Sequence, residues 1–122
     1  MIDRYTVRHI PGFLADLQPV TFRSKIGQGS FSSYSLMRAR PDNLTRELAT
    51  GDGITVIQVR SWEIWQQDLD NATPIGSATL PAPLPKINDV ITDQDGVNWV
   101  VHRVGQDLFG NVHNCECEKA VP

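Results

Sequence analysis

Apolar and polar residues alternate along this chain in short runs, and proline or glycine closes most of them. A period of two over four to eight residues is the signature of a half-buried strand. Residues 4–9 predict a first strand, closed by Ile10-Pro11-Gly12. Residues 13–17 are compatible with one helical turn or an extended stretch. A second strand covers 20–23. The Ser24–Ser30 stretch has two glycines and few apolar groups, so it predicts a loop or a hairpin tip. Residues 31–40 predict a third strand. Phe31, Ser33, Ser35 and Met37 face one way, and Ser32, Tyr34, Leu36 and Arg38 face the other. Pro41-Asp42-Asn43 reads as a turn, residues 44–49 as a brief helix, and Thr50-Gly51-Asp52-Gly53 as a second turn.

Residues 54–65 are the strongest strand, rich in β-branched and aromatic side chains. Both of its faces are partly apolar, which predicts a central position. Residues 66–86 are polar and then proline-rich, and Leu80–Pro85 predicts an extended, polyproline-like connection. Asp89–Thr92, the turn Asp93-Gln94-Asp95-Gly96 and Val97–Val104 form a hairpin, because Asp-Gly between β-rich runs is a strong turn signal. A turn over 107–111 and a closing strand over 112–119 complete the chain. The expectation is an all-β protein, a small barrel or sandwich of about six strands forming one domain over residues 1–122. A long protruding loop at 24–33, a proline-rich connection at 74–86 and at most one or two short helices go with it.

Composition sharpens this outline. With 122 residues, 40% hydrophobic and 20% charged, the chain suits one domain with a modest core. Such a thin-cored β domain often gains stability from neighbours, which makes oligomerisation an expectation. Eleven basic and fourteen acidic residues give a net charge of −3. No Lys/Arg run marks a nucleic-acid patch, and the balance speaks against an anionic membrane. The apolar stretches are far too short for a membrane span, and the N-terminus does not read as a signal peptide. Cys115 and Cys117 are too close for an unstrained bridge and point to a reducing site of synthesis.

Each possible chemistry has a plainer competitor. His113, Cys115 and Cys117, with His102, invite a metal site, but alternating positions on a strand stand parallel instead of converging. One apolar face of the closing strand accounts for them, so no metal and no cofactor are expected. Asp93-Gln94-Asp95-Gly96 opens like a calcium loop, yet Ile91 and His102 occupy positions that need acids. Gly27-Gln28-Gly29-Ser30 lacks the Gly-Lys-Ser/Thr of a phosphate cradle. No nucleophile elbow or Cys–His signature occurs, so catalytic residues are not assigned and an enzyme is not expected. Trp99 reads as core. Trp62 and Trp65 lie three apart and face opposite ways, which predicts that one of them reaches a surface or interface.

The order of these pieces resembles the head–tail joining (head-closure, or stopper) proteins of long-tailed bacteriophages. The resemblance lies in the strong strand Ile54-Thr55-Val56-Ile57-Gln58-Val59-Arg60, the proline-rich link, and the hairpin Asn88–Val101 with its Asp95-Gly96-Val97-Asn98-Trp99-Val100-Val101 stretch. It covers about residues 50–119, and residues 1–49 in outline. Members often have Gly-Asp before the hairpin's first strand, where this chain has Asn88-Asp89.

The resemblance implies a six- or twelve-fold ring in the virion neck, made in the host cytoplasm. Such a ring lies between the portal or adaptor proteins and the tail proteins, with packaged DNA passing through its channel and no enzymatic activity. A mildly acidic chain without a basic run suits such a channel, since each Lys/Arg contact adds sequence-independent affinity for DNA. Lys25, Gln28, Ser30, Phe31, Arg38 and Arg40 are the expected partner or channel contacts, and Trp62 and Trp65 the expected subunit interface. Another virion β protein, such as a tail terminator or capsid-decorating protein, and a small ligand-binding β-barrel are the competing expectations, with a small hydrolase behind them.

Overall fold

The computed structural model describes residues 17–50 and 53–120. The expected strand over 4–9 and most of the open segment 13–17 lie outside the described residues, as do positions 51 and 52. Seven strands are present: β1 (Gln18–Gly27), β2 (Ser30–Thr50), β3 (Gly53–Trp65), β4 (Thr73–Ile75), β5 (Val90–Thr92), β6 (Asn98–Gln106) and β7 (Val112–Lys119). These strands, and the one short helix, α1 (Gln66–Asp70), that follows β3, are counted among the described residues. Every pairing is antiparallel. The strands run β1-β5-β6-β7-β3-β2-β4, and β1 pairs with β2 as well. That additional pairing closes six strands on themselves, so the all-β expectation resolves into a barrel with β4 attached beside β2.

Closure depends on the length of β2. Its first half pairs with β1, from Ser30 opposite Gly27 to Ala39 opposite Gln18. Its second half pairs with β3, from Arg40 opposite Glu63 to Thr50 opposite Gly53. The turn expected at Pro41–Asn43 and the helix expected at residues 44–49 are therefore both replaced by continuous strand. The physical reason is the partner: β3 offers an unbroken ladder that a six-residue helix could not match in this setting. Pro41 comes two residues past the last pair with β1, where β2 lacks a second described neighbour. A residue without an N–H is tolerated on such an edge.

The expected protruding loop at 24–33 is likewise laddered. Lys25 pairs with Phe31 and Gly27 with Ser30, leaving a two-residue turn at Gln28-Gly29. Gly29 takes a φ of +76°, a conformation that most side chains disfavour. Of the two sequence readings, the hairpin tip is the one the fold adopts.

The interior is filled by side chains. Phe22, Leu36, Trp62, Ile64, Ile91, Val101, Cys115 and Cys117 are buried there, with Val20, Tyr34, Ala39 and Trp99. Six strands enclose only enough space for such side chains to fill. The face expected for β2 holds through Tyr34 and Leu36 but then shifts, since Ala39 and not Arg38 is buried. A ladder irregularity between Val20 and Gln18 inserts the extra residue. Val59 and Trp62 confirm that β3 carries apolar residues on both faces, and it lies between β2 and β7.

Alternating strand directions place the β1–β2 turn, α1 and the β6–β7 turn at one end of the barrel. The proline-rich connection crosses that end. Ala82 packs into the core, the inward-facing Tyr34 donates its hydroxyl to the Thr79 carbonyl, and Lys86 Nζ donates to the buried Ser24 Oγ at 2.8 Å. At the opposite end β2 and β3 continue past the barrel as a two-stranded ribbon. The last β3–β7 pair is Val59 with Glu118, whereas β2–β3 pairing runs on to Thr50 and Gly53.

Trp62 has 0% exposure at the centre of this packing. Replacing it with alanine is expected to lower unfolding free energy by about 3–5 kcal/mol, the usual cost of emptying a large aromatic site. The same change at the partly exposed Trp65 should cost clearly less. Guanidinium titration followed by circular dichroism measures both.

Candidate assembly surfaces

The residues expected to meet partners divide into two separate places. Lys25, Gln28, Ser30 and Phe31 gather at the β1–β2 tip, where Gln28, Ser30 and Phe31 are exposed and Lys25 is half-buried. Lys25 also serves the fold, because its backbone N–H donates to Asp89 Oδ1 at 2.8 Å. Arg38 lies elsewhere, beside the end of β3. Its Nε donates to both Asp68 carboxylate oxygens, at 3.1 and 3.3 Å, and its guanidinium sits 5.9 Å from the Trp65 ring centre. Arg40 forms a cross-strand ion pair with Glu63 at 2.9 Å.

The expectation that Trp62 belongs to an interface is corrected, since it is wholly inside the barrel. Its alternation with Ile64 points both inward, and burial of that face is what closes the barrel. Trp65 is the tryptophan of the pair that reaches the surface.

Two buried carboxylates hold the barrel's ends. Asp89 accepts from the Lys25 and Lys86 backbone amides, each at 2.8 Å, and from Lys86 Nζ at 3.1 Å. Its own backbone carbonyl accepts from Val101 N–H at 2.8 Å. The side chain thereby joins β1 to the proline-rich connection, and the backbone of the same residue adds the link to β6. Asp93 does the same work in the β5–β6 turn. Oδ1 accepts from the Asp95 and Val97 amides at 2.9 Å, and Oδ2 accepts from Trp99 Nε1 at 3.1 Å. Arg60 lies 3.8 Å from the same carboxylate, between the Trp62 and Trp99 rings, at 5.4 and 4.9 Å from their centres. The charge is neutralised and its guanidinium faces are covered, which lets it sit against the core.

Of the residues considered for metal binding, His113, Cys115 and Cys117 are built into the packing, whereas His102 is exposed. His113 is buried, with Nε2 2.7 Å from Gln66 Oε1 and Nδ1 3.3 Å from Gln106 Nε2. This arrangement suits a neutral imidazole that donates from Nε2 and accepts at Nδ1. Burial holds its pKa below the ordinary value, against a weaker opposing pull from Asp107. Cys115 and Cys117 are buried free thiols, Cys115 pushed up to about 12 chiefly by burial and Cys117 pushed up also, chiefly by burial. Among the described residues, no three His, Cys, Asp or Glu side chains converge as a metal would need.

Sequence reasoning missed two surface features. The first is the β2–β3 ribbon, for which residues 44–48 give no local strand signal: Leu44 and Leu48, four apart with polar residues between, suit a helix. The second is the apolar character of the capped end. Ile26, Phe31, Leu80, Leu84, Ile87, Leu108 and Phe109 all project there into solvent, and Leu108 and Phe109 are 90% and 80% exposed. A Leu-Phe pair inside an Asp-x-x-Gly turn is the sequence signal that marks it. No protein-family model matches the chain, and no curated protein matches it.

Two measurements test the buried groups. As pH falls below about 6.5, unfolded His113 gains a proton that the folded imidazole resists, so stability should fall. The stability difference between wild type and His113→Gln should therefore shrink from pH 7.5 to pH 5.5, as read by urea titration. Iodoacetamide at pH 8 should leave both cysteines unmodified in the native protein and label both after denaturation, by intact mass.

Proposed function

We propose that this chain is a structural subunit of a closed ring that joins the head of a long-tailed bacteriophage to its tail and gates the DNA channel. The β2–β3 ribbon is the observation that carries this reading. Beyond Ala39, β2 has β3 on one side and no second described strand. Before Val59, β3 pairs with β2 alone among the described residues. Two backbone edges of similar length thus lie on opposite sides of one ribbon. Edges left this way pair readily with another chain, and two different edges favour a head-to-tail contact that closes into a ring.

Other features agree. The barrel interior is occupied by Trp62, Phe22 and their neighbours, which leaves the ligand-binding alternative without a chamber. The polar clusters at Asp89, Asp93 and His113 are saturated by structural hydrogen bonds, which suits a scaffold and not a catalyst. The weakly acidic chain would let DNA slide, since it offers few phosphate contacts. Subunits act through the ribbon and the barrel ends. The β1–β2 tip with Lys25, Gln28, Ser30 and Phe31 faces a neighbouring layer of the neck, whether portal, adaptor or tail protein.

Deleting the gene from the parent phage tests the reading. Particles should package DNA and then lose it, and tails should remain unattached, as seen by electron microscopy and nuclease sensitivity. Deleted particles that hold their DNA and carry normal tails would refute it.

A further inference from the structure

Backbone direction decides which polar groups the β2–β3 ribbon turns outward. Successive residues of a strand point their N–H and C=O to opposite neighbours. Gln66 N–H donates to the Asn111 carbonyl at 2.8 Å, one step beyond the Trp65–Val112 pair. Even-numbered residues of β3 therefore face β7, and odd-numbered ones face β2. Both β3 ladders pair residue by residue, so the alternation holds as far as Gly53. The bond from Ala120 N–H to the Asn98 carbonyl, at 2.9 Å, gives the matching alternation on β7.

Past the end of β7, Ile54, Val56 and Gln58 thus turn their backbone groups to the open side of β3. On β2 the even-numbered residues meet β3, from Asp42 opposite Ser61 to Thr50 opposite Gly53. Asn43, Thr45, Glu47 and Ala49 turn to the other side, beyond the last pair with β1. Pro41 belongs to the same set, and there its missing N–H breaks no described ladder.

The two rows fit one another. With the Thr50–Gly53 ends of two ribbons level, Thr45 of one copy comes opposite Gln58 of the next, Glu47 opposite Val56 and Ala49 opposite Ile54. Each pair sets an outward residue against an outward residue, as the hydrogen-bonded positions of an antiparallel ladder require. A slip of one residue would set outward groups against inward ones. The overlap stops at Gln58, because β7 already pairs with Arg60.

We propose that β2 of one copy adds to β3 of a second copy, antiparallel and in this register, so that neighbouring ribbons share one sheet. The partner is a second copy because one chain presents both rows, on opposite sides of its ribbon. Each copy then gives one edge and takes one, and a closed ring leaves no ribbon edge over. This rests on the ring reading and names its subunit contact.

Disulfide trapping between full-length chains tests it. Arg46 of one copy and Ile57 of the next form a non-hydrogen-bonded pair in this register, with Cα atoms about 4.5 Å apart and within disulfide reach. Arg46→Cys and Ile57→Cys are made as separate proteins, mixed in equal amounts and oxidised with diamide. Peptide mass mapping then identifies the linked positions. The 46–57 link should exceed, by about tenfold or more, that between Arg46→Cys and Met37→Cys, an exposed site outside the ribbon. Adding Ala49→Pro to the first protein removes an outward N–H that β3 does not use. Circular dichroism should then be unchanged while the link falls about tenfold. A 46–57 link at the control level, or one that survives Ala49→Pro, would overturn the proposal. So would equal linkage of either variant to itself, or preferential linkage of Arg46→Cys to Thr55→Cys. A specific 46–57 link together with deleted phage that retain DNA and tails would uphold the contact and remove the neck role. Deleted phage that lose DNA and tails, with the link absent, would keep the neck role and strike this contact.

Discussion

Between Ala39 and Arg40, β2 exchanges one partner for another, and the barrel exists because of that exchange. A sheet of separate hairpins would leave β1 and β3 as edges. A single strand shared by both joins them, and each inward-facing side chain then meets an opposite wall. The residues around the exchange bear this out. The ladder slips by one residue, Ala39 turns inward with no bulk to obstruct closure, and Pro41 follows where a missing N–H costs little. The ribbon is a by-product of the same geometry, since a strand long enough to serve two neighbours in turn continues past both.

A barrel this small has an interior that must be dry at the centre and sealed at the ends. Trp62, Phe22, Leu36 and Ile91 fill the centre. The ends cannot be sealed by apolar residues alone, because turns and connections bring backbone polar groups with them. Asp89 and Asp93 answer this by accepting hydrogen bonds from amides that have no strand partner. Each carboxylate replaces several separate caps, and its burial is tolerated because a cation stands beside it: Lys86 in one case, Arg60 in the other. The His113 pair of amide contacts ties α1 to β6 and β7 in the same manner, without charge.

The exposed features lie at the two ends of the barrel. The capped end exposes apolar side chains on two hairpin tips and on the proline-rich connection, while the other end extends as paired backbone. These are different kinds of adhesive surface, one side-chain and one main-chain, and they lie at opposite ends of one molecule.

The sequence alone determined the class of fold and most of the strands. Period-two alternation, β-branched composition and the Asp-Gly turn act within a few residues, so β1, β3, the β5–β6 hairpin and β7 were legible without a tertiary partner. Local signals also placed Trp99 in the core and read the His113–Cys117 face as packing. They failed at residues 41–49, where Pro-Asp-Asn and a helix-compatible run point one way locally and eleven ladder pairs with β3 decide otherwise. They left Trp62 and Trp65 undivided, because alternation says that two residues face opposite sides and never which side a closed barrel will make its inside. Barrel closure itself, the recruitment of Ala82 to the core, and the gathering of exposed apolar residues at one end depend on contacts between segments far apart in the chain. Those contacts were decided by the tertiary structure, since only a folded wall gives a side chain an inner or an outer face.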